Sequence, residues 1–223
     1  MKPKPKPRLR SKLKLVAVLI GAAQLAGCTP MSPASDPTRS PSESSTAAPS
    51  MVYASDGFAV PFTVTVSDLV TFEPFEPGAE QVSWESPGDP NNRIRFVAPV
   101  AVFPPGSDSS IAPPADYATY LKSLAQSGAV IADEATIDVD GQTVPIFTIT
   151  STVDLNGSIG CISNVGKDES DCFGAHPDLF LRVAVVAVGD RVVLAWARTD
   201  PTAPNLEFVA SFEEMLKTAQ FGS

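Results

Sequence analysis

Three regimes of apolar patterning follow one another along the chain. Leu15 to Ala26 is an almost unbroken apolar run of about a dozen residues, long enough for the core of an export signal and short of the roughly 20 needed to span a bilayer as a helix. Residues 29–56 show no period and consist mainly of Pro, Ser, Thr, Ala and Asp, with Tyr53 their only aromatic. Such a stretch buries too little apolar surface to offset the entropy of ordering, so 28–56 reads as a tether. From residue 57 the pattern alternates between a period of two and a period of 3.6, which marks 57–223 as a single domain.

Within that domain Phe58–Val66 alternates, with Phe62, Val64 and Val66 on one face. Gln81–Glu85 and Arg93–Ala98 read as two further strands around the turn cluster Pro87-Gly88-Asp89-Pro90-Asn91-Asn92. The proline-rich stretch Phe103–Pro114 interrupts the sheet. Asp116 is then placed as an N-cap, and Tyr117, Tyr120, Leu121 and Leu124 fall at helical spacing, which predicts a helix over Tyr117–Gln126 closed by Gly128. Ala135–Val139 and Thr143–Thr152 flank Asp140-Gly141, a pair suited to positive φ and hence to a two-residue hairpin. Pro145 lacks an N–H, so the second of these strands is expected to be an edge or to bulge there.

Leu181–Val188 and Arg191–Arg198, joined by Gly189-Asp190, are apolar on both faces and are expected to be central strands covered on both sides. Phe208, Phe212, Met215 and Leu216 predict a last helix, which a Ser211/Glu214 capping box would start late. Hairpins with two separate helices define an α+β class: an antiparallel sheet of about six to seven strands with two helices packed on it. This layout resembles the PsbP/Mog1-like fold of several lipoproteins of high-GC Gram-positive bacteria. The resemblance rests on the helix Tyr117–Gln126, the hairpins around Asp140-Gly141 and Gly189, the segment Phe147–Thr150 and the closing stretch Phe208–Phe221, and covers residues 58–221. It implies a non-enzymatic binding, assembly or accessory module and transfers no residue's role.

Charge adds an address. Seven basic residues and no acidic one precede the apolar run, between Lys2 and Lys14, and the run ends in Leu25-Ala26-Gly27-Cys28. A positive head, a short apolar core and small residues before a cysteine resemble the signal peptide and lipobox of bacterial lipoproteins. That resemblance implies cleavage after residue 27 and acylation of Cys28, whose chains contribute about 0.8 kcal/mol per buried CH₂ and anchor the chain to the outer face of the cell membrane. The nine basic residues that then remain face twenty-five acidic ones, a net charge of −16. Nucleic acid and anionic bilayer surfaces are excluded as partners, because both need a broad basic patch. An envelope protein, a wall polymer or a lipid remains open.

The chemistry-bearing residues are few. Cys161 and Cys172 in an exported domain are expected to form a disulfide, with two free thiols or a metal site with His176 as alternatives. Asp138-Val139-Asp140-Gly141 begins like an EF-hand loop, but Ile149 stands where its last carboxylate belongs, so no metal or other cofactor is predicted. Any Ser–His or Cys–His mechanism would have to use His176, a turn histidine, and no nucleophile elbow or phosphate-binding loop accompanies it. No catalytic residue is therefore assigned, and a hydrolase ranks behind a binding module or an apolar-ligand carrier.

For binding, the candidate residues are Trp84, Trp196, Phe72 and Phe75, the last two within a Phe-Glu-Pro repeat that reads as extended chain rather than strand or helix. The bland alternative makes the tryptophans core residues and the repeat a covering loop. Arg93 and Arg95 share one strand face and are expected to pair with nearby carboxylates.

Overall fold

The computed structural model describes residues 51–166 and 170–222. Cys28, the run read as an export signal and nearly all of the stretch read as a tether lie outside them. Within them run β1 (Val52–Ser55), β2 (Phe62–Thr65), β3 (Glu76–Pro77), β4 (Gln81–Ser86), β5 (Asp89–Val97) and α1 (Tyr117–Ser123). After α1 come β6 (Ala129–Val139), β7 (Gln142–Ser151), β8 (Gly160–Cys161), β9 (Cys172–Phe173), β10 (Phe180–Val188), β11 (Arg191–Thr199), α2 (Leu206–Lys217) and β12 (Gln220–Phe221). The main sheet has seven strands in the order β3-β4-β5-β11-β10-β7-β6, all antiparallel. A three-stranded sheet, β1-β2-β12, and the small β8-β9 ribbon accompany it. This is the expected α+β architecture.

The β10–β11 hairpin sits at the centre because its Val/Ala sequence can be buried on both faces. Ala184, Val186, Val193, Ala195 and Ala197 join a core roofed by α2 and by β2. Val183, Leu181, Leu194 and Trp196 join a second core on the other face, roofed by α1 through Tyr117, Leu121 and Leu124. Side chains alternate across a strand with period two, so each strand feeds both cores. Turn chemistry holds where it was local: Asp140 and Gly141 both take positive φ, at 49° and 71°, and Val139 pairs with Gln142 across a two-residue turn. Asp116 caps α1 by accepting from the Thr119 N–H at 2.9 Å. Those bonds also hold its carboxyl below the usual carboxylate range.

Several expectations are corrected. β1 lies inside the stretch read as tether; its one aromatic, Tyr53, meets Trp84 edge-on at a centroid distance of 5.3 Å. The turn between β4 and β5 is only Pro87-Gly88. Asp89 accepts from the Asn91 N–H and from Asn92 Nδ2, both at 3.0 Å, and so pins the polar cluster into strand β5. Helix α1 stops at Ser123 and tightens into a 3₁₀ turn, 124–127, before Gly128 ends it at φ 105°. β6 begins at Ala129, six residues early, and accommodates Asp133 at φ 49° by a bulge between Ala132 and Ala135. β7 is an interior strand; Pro145 is tolerated because pairing with β10 ends at Ala184–Ile146, one residue short of it. Helix α2 starts at Leu206 behind the N-cap Asn205, whose side chain accepts from the Phe208 N–H at 3.0 Å. Ser211 is thus inside the helix, hydrogen-bonded to Ser67, while Glu214 pairs with Lys217. Glu76–Pro77 of the Phe-Glu-Pro repeat forms a short edge strand rather than free extended chain.

Two phenols tie α1 to the segment before β8. Tyr117 donates to the Ile159 carbonyl at 2.8 Å and Tyr120 to the Ser158 carbonyl at 2.7 Å. Burial pushes the Tyr117 hydroxyl well up and the Tyr120 hydroxyl to about 12. The protonated form is the folded-state form, so this stability is complete below the ordinary phenol value of about 10 and is lost as pH rises towards the folded value. Alkaline titration followed by tyrosinate absorbance is expected to show a component near pH 12 that Tyr120→Phe removes. A component missing from wild type, or one that survives the substitution, would contradict this assignment.

Candidate functional site

The second face of the sheet is apolar under α1 and turns polar past Trp196. There β5 and β11 pair in register, Trp196 opposite Arg95 and Arg198 opposite Arg93. Since neighbouring positions point to opposite faces, Arg93, Arg95, Trp196 and Arg198 all emerge on one side. The β9 residues Cys172 and Phe173, with Gly174 and His176 after them, stand above that surface. The hollow between is a groove of about 440 Å³.

Each arginine in the groove is held differently. Arg95, 9% exposed, donates from Nε to Ser83 Oγ at 2.7 Å and from Nη2 to Glu76 Oε2 at 2.6 Å. Its guanidinium lies 4.5 Å from the Phe173 ring centroid and 6.0 Å from that of Trp196, within cation–π range. Arg93 pairs with Glu85 through Nη2 and lies 4.5 Å over the Phe75 ring. Arg198 donates to the carbonyls of Asn91 and Pro90, at 3.3 and 3.0 Å. Burial lowers the Arg95 pKa, Glu76 pulls it back, and Arg93 and Arg198 push it down again. Arg198 is lowered by burial and then by Arg93, against the opposing pull of Asp178. Two polar atoms at the groove, Gln81 Oε1 and Arg93 Nε, are buried without a hydrogen-bond partner among the described residues. Buried polar groups are nearly always satisfied, so these two stand out.

The four aromatic candidates do not form one site. Trp84, fully buried, belongs to the first core and donates to the Phe72 carbonyl at 3.2 Å; Phe72 packs against the same core. Phe75 is 40% exposed and lies under Arg93, outside the groove. Trp196 alone of the four lines the groove. Arg93, Arg95, Cys172 and His176, each notable in the sequence for another reason, line it too; Phe173 and Arg198 are not singled out there, and the proximity of Arg198 to Arg93 depends on how β11 registers on β5. The alternation of Arg93, Arg95 along β5 and Trp196, Arg198 along β11 was the available signal.

Cys161 and Cys172 are joined by a disulfide that pairs β8 with β9. Neither sulfur is therefore a thiolate or a metal ligand here. Among the described residues no group of three His, Cys, Asp or Glu side chains is placed to hold a metal. His176 Nδ1 meets Asp154 Oδ1 at 3.1 Å. Ser158, the hydroxyl sharing a small cleft with it, is buried and accepts from the Phe103 N–H at 2.9 Å. That arrangement positions no nucleophile on the histidine. A larger hollow of about 560 Å³ lies beside the β10–β11 turn, with Arg191, Glu80 and Asp190 in its lining. It has no aromatic wall, and its two carboxylates outnumber its one guanidinium.

No helix among the described residues is long and apolar enough to cross a membrane. No protein-family model matches the chain, and no curated protein matches it. Among solved structures, the chain is similar to the solution structure of cyanobacterial PsbP (CyanoP) from Synechocystis sp. PCC 6803, at 10% identity and a TM-score of 0.39, over 80% of this chain and 96% of that one. The α+β assignment rests on the strand order and the two helices themselves.

Proposed function

We propose that this protein is a lipid-anchored domain of the bacterial cell envelope that binds a ligand or partner without transforming it, with the groove beside Trp196 as its recognition site. The observation that carries the reading is the groove: guanidinium groups and an aromatic wall, positioned on paired strands and closed on one side by a disulfide-linked ribbon. Convergent polar groups with aromatic lining in a hollow of this size are the usual composition of a ligand site. A rigid sheet holds the groups in place, so little ordering cost is paid on binding. The anchor rests on the sequence: seven cations, a short apolar run and Cys28 after small residues. Acylation there would leave the domain on the oxidising side of the membrane, in keeping with the Cys161–Cys172 bond.

Two measurements test this. Mass spectrometry of the mature amino terminus is expected to find a diacylglyceryl-modified Cys28; an unmodified terminus, or one beginning elsewhere, removes the anchor. Native mass spectrometry of the gently extracted protein is expected to show a retained ligand or partner that is lost on Trp196→Ala. A retained lipid would assign the domain to carriage, and a protein partner to an accessory role. Turnover of a substrate abolished by His176→Ala would overturn the non-catalytic reading.

A further inference from the structure

The groove gathers three of the nine basic residues that follow Cys28, in a stretch of chain holding all twenty-five acidic ones. Two of the three, Arg93 and Arg198, are direct partners across the β5–β11 ladder, and Arg95 is on the same face as both. Like charges directly opposite each other destabilise an antiparallel pair, and burial of the guanidinium groups adds to that cost. Carboxylates answer only part of it. Glu85 pairs with Arg93 and Glu76 with Arg95, whereas Arg198 feels Asp178, Glu85 and Asp89 only at a distance and gives its hydrogen bonds to backbone carbonyls. Among the described residues, the protein's own acceptors engage Nε or Nη2 of the three side chains, which leaves Nη1 of each for another acceptor. Arg93 Nε is a further buried donor without a partner among those residues.

We infer that this groove binds a phosphate-bearing ligand, with the phosphate seated among Arg93, Arg95 and Arg198 and the remainder of the ligand lying against Trp196 and Leu181. The inference deepens the reading of the groove as a recognition site and rests on it. A carboxylate offers two oxygens in one plane and is satisfied by a single guanidinium fork. Here three guanidinium groups come from two strands, with stems about 5 Å apart across the pair and about 7 Å apart along it. Donors arriving from separate directions suit a tetrahedral oxyanion with several acceptor oxygens. A dianion would also offset the like-charge opposition that the sheet otherwise carries. Trp196, Leu181, Leu179 and Ile159 supply an apolar wall beside that polar floor, so the ligand carries more than its phosphate.

The test uses the full-length lipidated protein in neutral detergent, with glycerol phosphate and dihexanoyl phosphatidic acid as probes. Glycerol and dihexanoylglycerol are their phosphate-free twins. The readouts are tryptophan fluorescence, to which groove-lining Trp196 contributes while Trp84 is sealed in the core, and the melting temperature. A phosphate probe is expected to give a saturable fluorescence change and a rise in melting temperature that its twin does not give. Arg198→Gln is expected to weaken binding roughly tenfold or more, the loss of charge-assisted hydrogen bonds. The same variant also loses the bonds to the Asn91 and Pro90 carbonyls, so each protein's rise in melting temperature is read against its own ligand-free value. Arg198→Lys keeps the charge without the fork and is expected to bind with intermediate strength. Binding of phosphatidic acid alone identifies a lipid headgroup as the source, and equal binding of both probes identifies a soluble phosphate ester; either upholds the inference. It is overturned if neither probe saturates, if the twins respond equally, or if Arg198→Gln binds as wild type does. Should both probes fail while the native mass spectrum still shows a ligand released by Trp196→Ala, the phosphate assignment falls and the groove remains the recognition site.

Discussion

Replacing Phe62 with alanine is expected to lower the melting temperature by roughly 6–20 °C, the largest effect of any substitution considered for this domain. Phe62 is 3% exposed and, beside the Tyr53–Trp84 contact, is a main grip of the three-stranded sheet on the seven-stranded one. Its ring stacks on Phe96 of β5, with centroids 5.0 Å apart and planes 8° from parallel, and it meets Phe58 edge-on at 5.3 Å. Tyr53 of β1 and Phe221 of β12 lean on it at 6.3 and 5.9 Å. Deleting such a ring removes its transfer free energy and leaves a cavity that the neighbours fill only partly, about 3–5 kcal/mol in all. Domains of this size shift by about 2–4 °C per kcal/mol, and total stability is only about 5–15 kcal/mol. Phe62→Leu keeps most of the apolar volume and should recover most of the loss. Differential scanning calorimetry of the three proteins measures it; a Phe62→Ala protein melting within a degree or two of wild type would mean that the small sheet is not held through this ring.

The second large effect is expected from removing the Cys161–Cys172 bond. The sequence separation is 11, a closed loop of twelve residues counting both ends. On the chain-entropy account that crosslink stabilises the fold by about 3 kcal/mol. A paired Cys161→Ala, Cys172→Ala variant should therefore melt roughly 6–12 °C lower. Alanine is chosen because Cys161 is fully buried beside Ala101 and Phe103, where a serine hydroxyl would add a cost of its own. The two losses differ in where they are felt. Without the crosslink, hydrogen exchange should quicken first in β8 and β9, at Gly160 and Phe173, while the β10–β11 amides keep their protection. A uniform increase across the sheet would mean that the bond stabilises the whole domain rather than the groove's wall.

What could be read along the chain was what depends on neighbours in sequence. The Asp140-Gly141 and Gly189-Asp190 turns, the Asp116 cap and the doubly buried central hairpin follow from local backbone preference and from period-two patterning. What could not be read depends on partners far apart in the chain. Tyr53 lies in a segment whose composition cannot fold alone, and β1 forms because Trp84 and Phe62 offer it a surface. Trp84 and Trp196 are equivalent candidates in the sequence, yet they face opposite ways. Trp84 pairs with Ile94 and Trp196 with Arg95, so a difference of one position on β5 sends them to different cores. The same register brings Arg198 against Arg93. Arg93 and Arg95 could be seen as one face, but the third arginine joins them only once β11 is laid beside β5.

The two outer rims of the main sheet carry a further consequence. One rim is β3, two residues long and ending in Pro77. The other is β6, kinked where Asp133 takes a left-handed conformation and studded with Glu134 and Asp138. Short strands, proline, kinks and outward carboxylates each deny a neighbouring molecule the straight ladder it would need to extend the sheet. Copies brought side by side at high concentration can therefore collide repeatedly without zipping into shared β-structure or seeding fibrils.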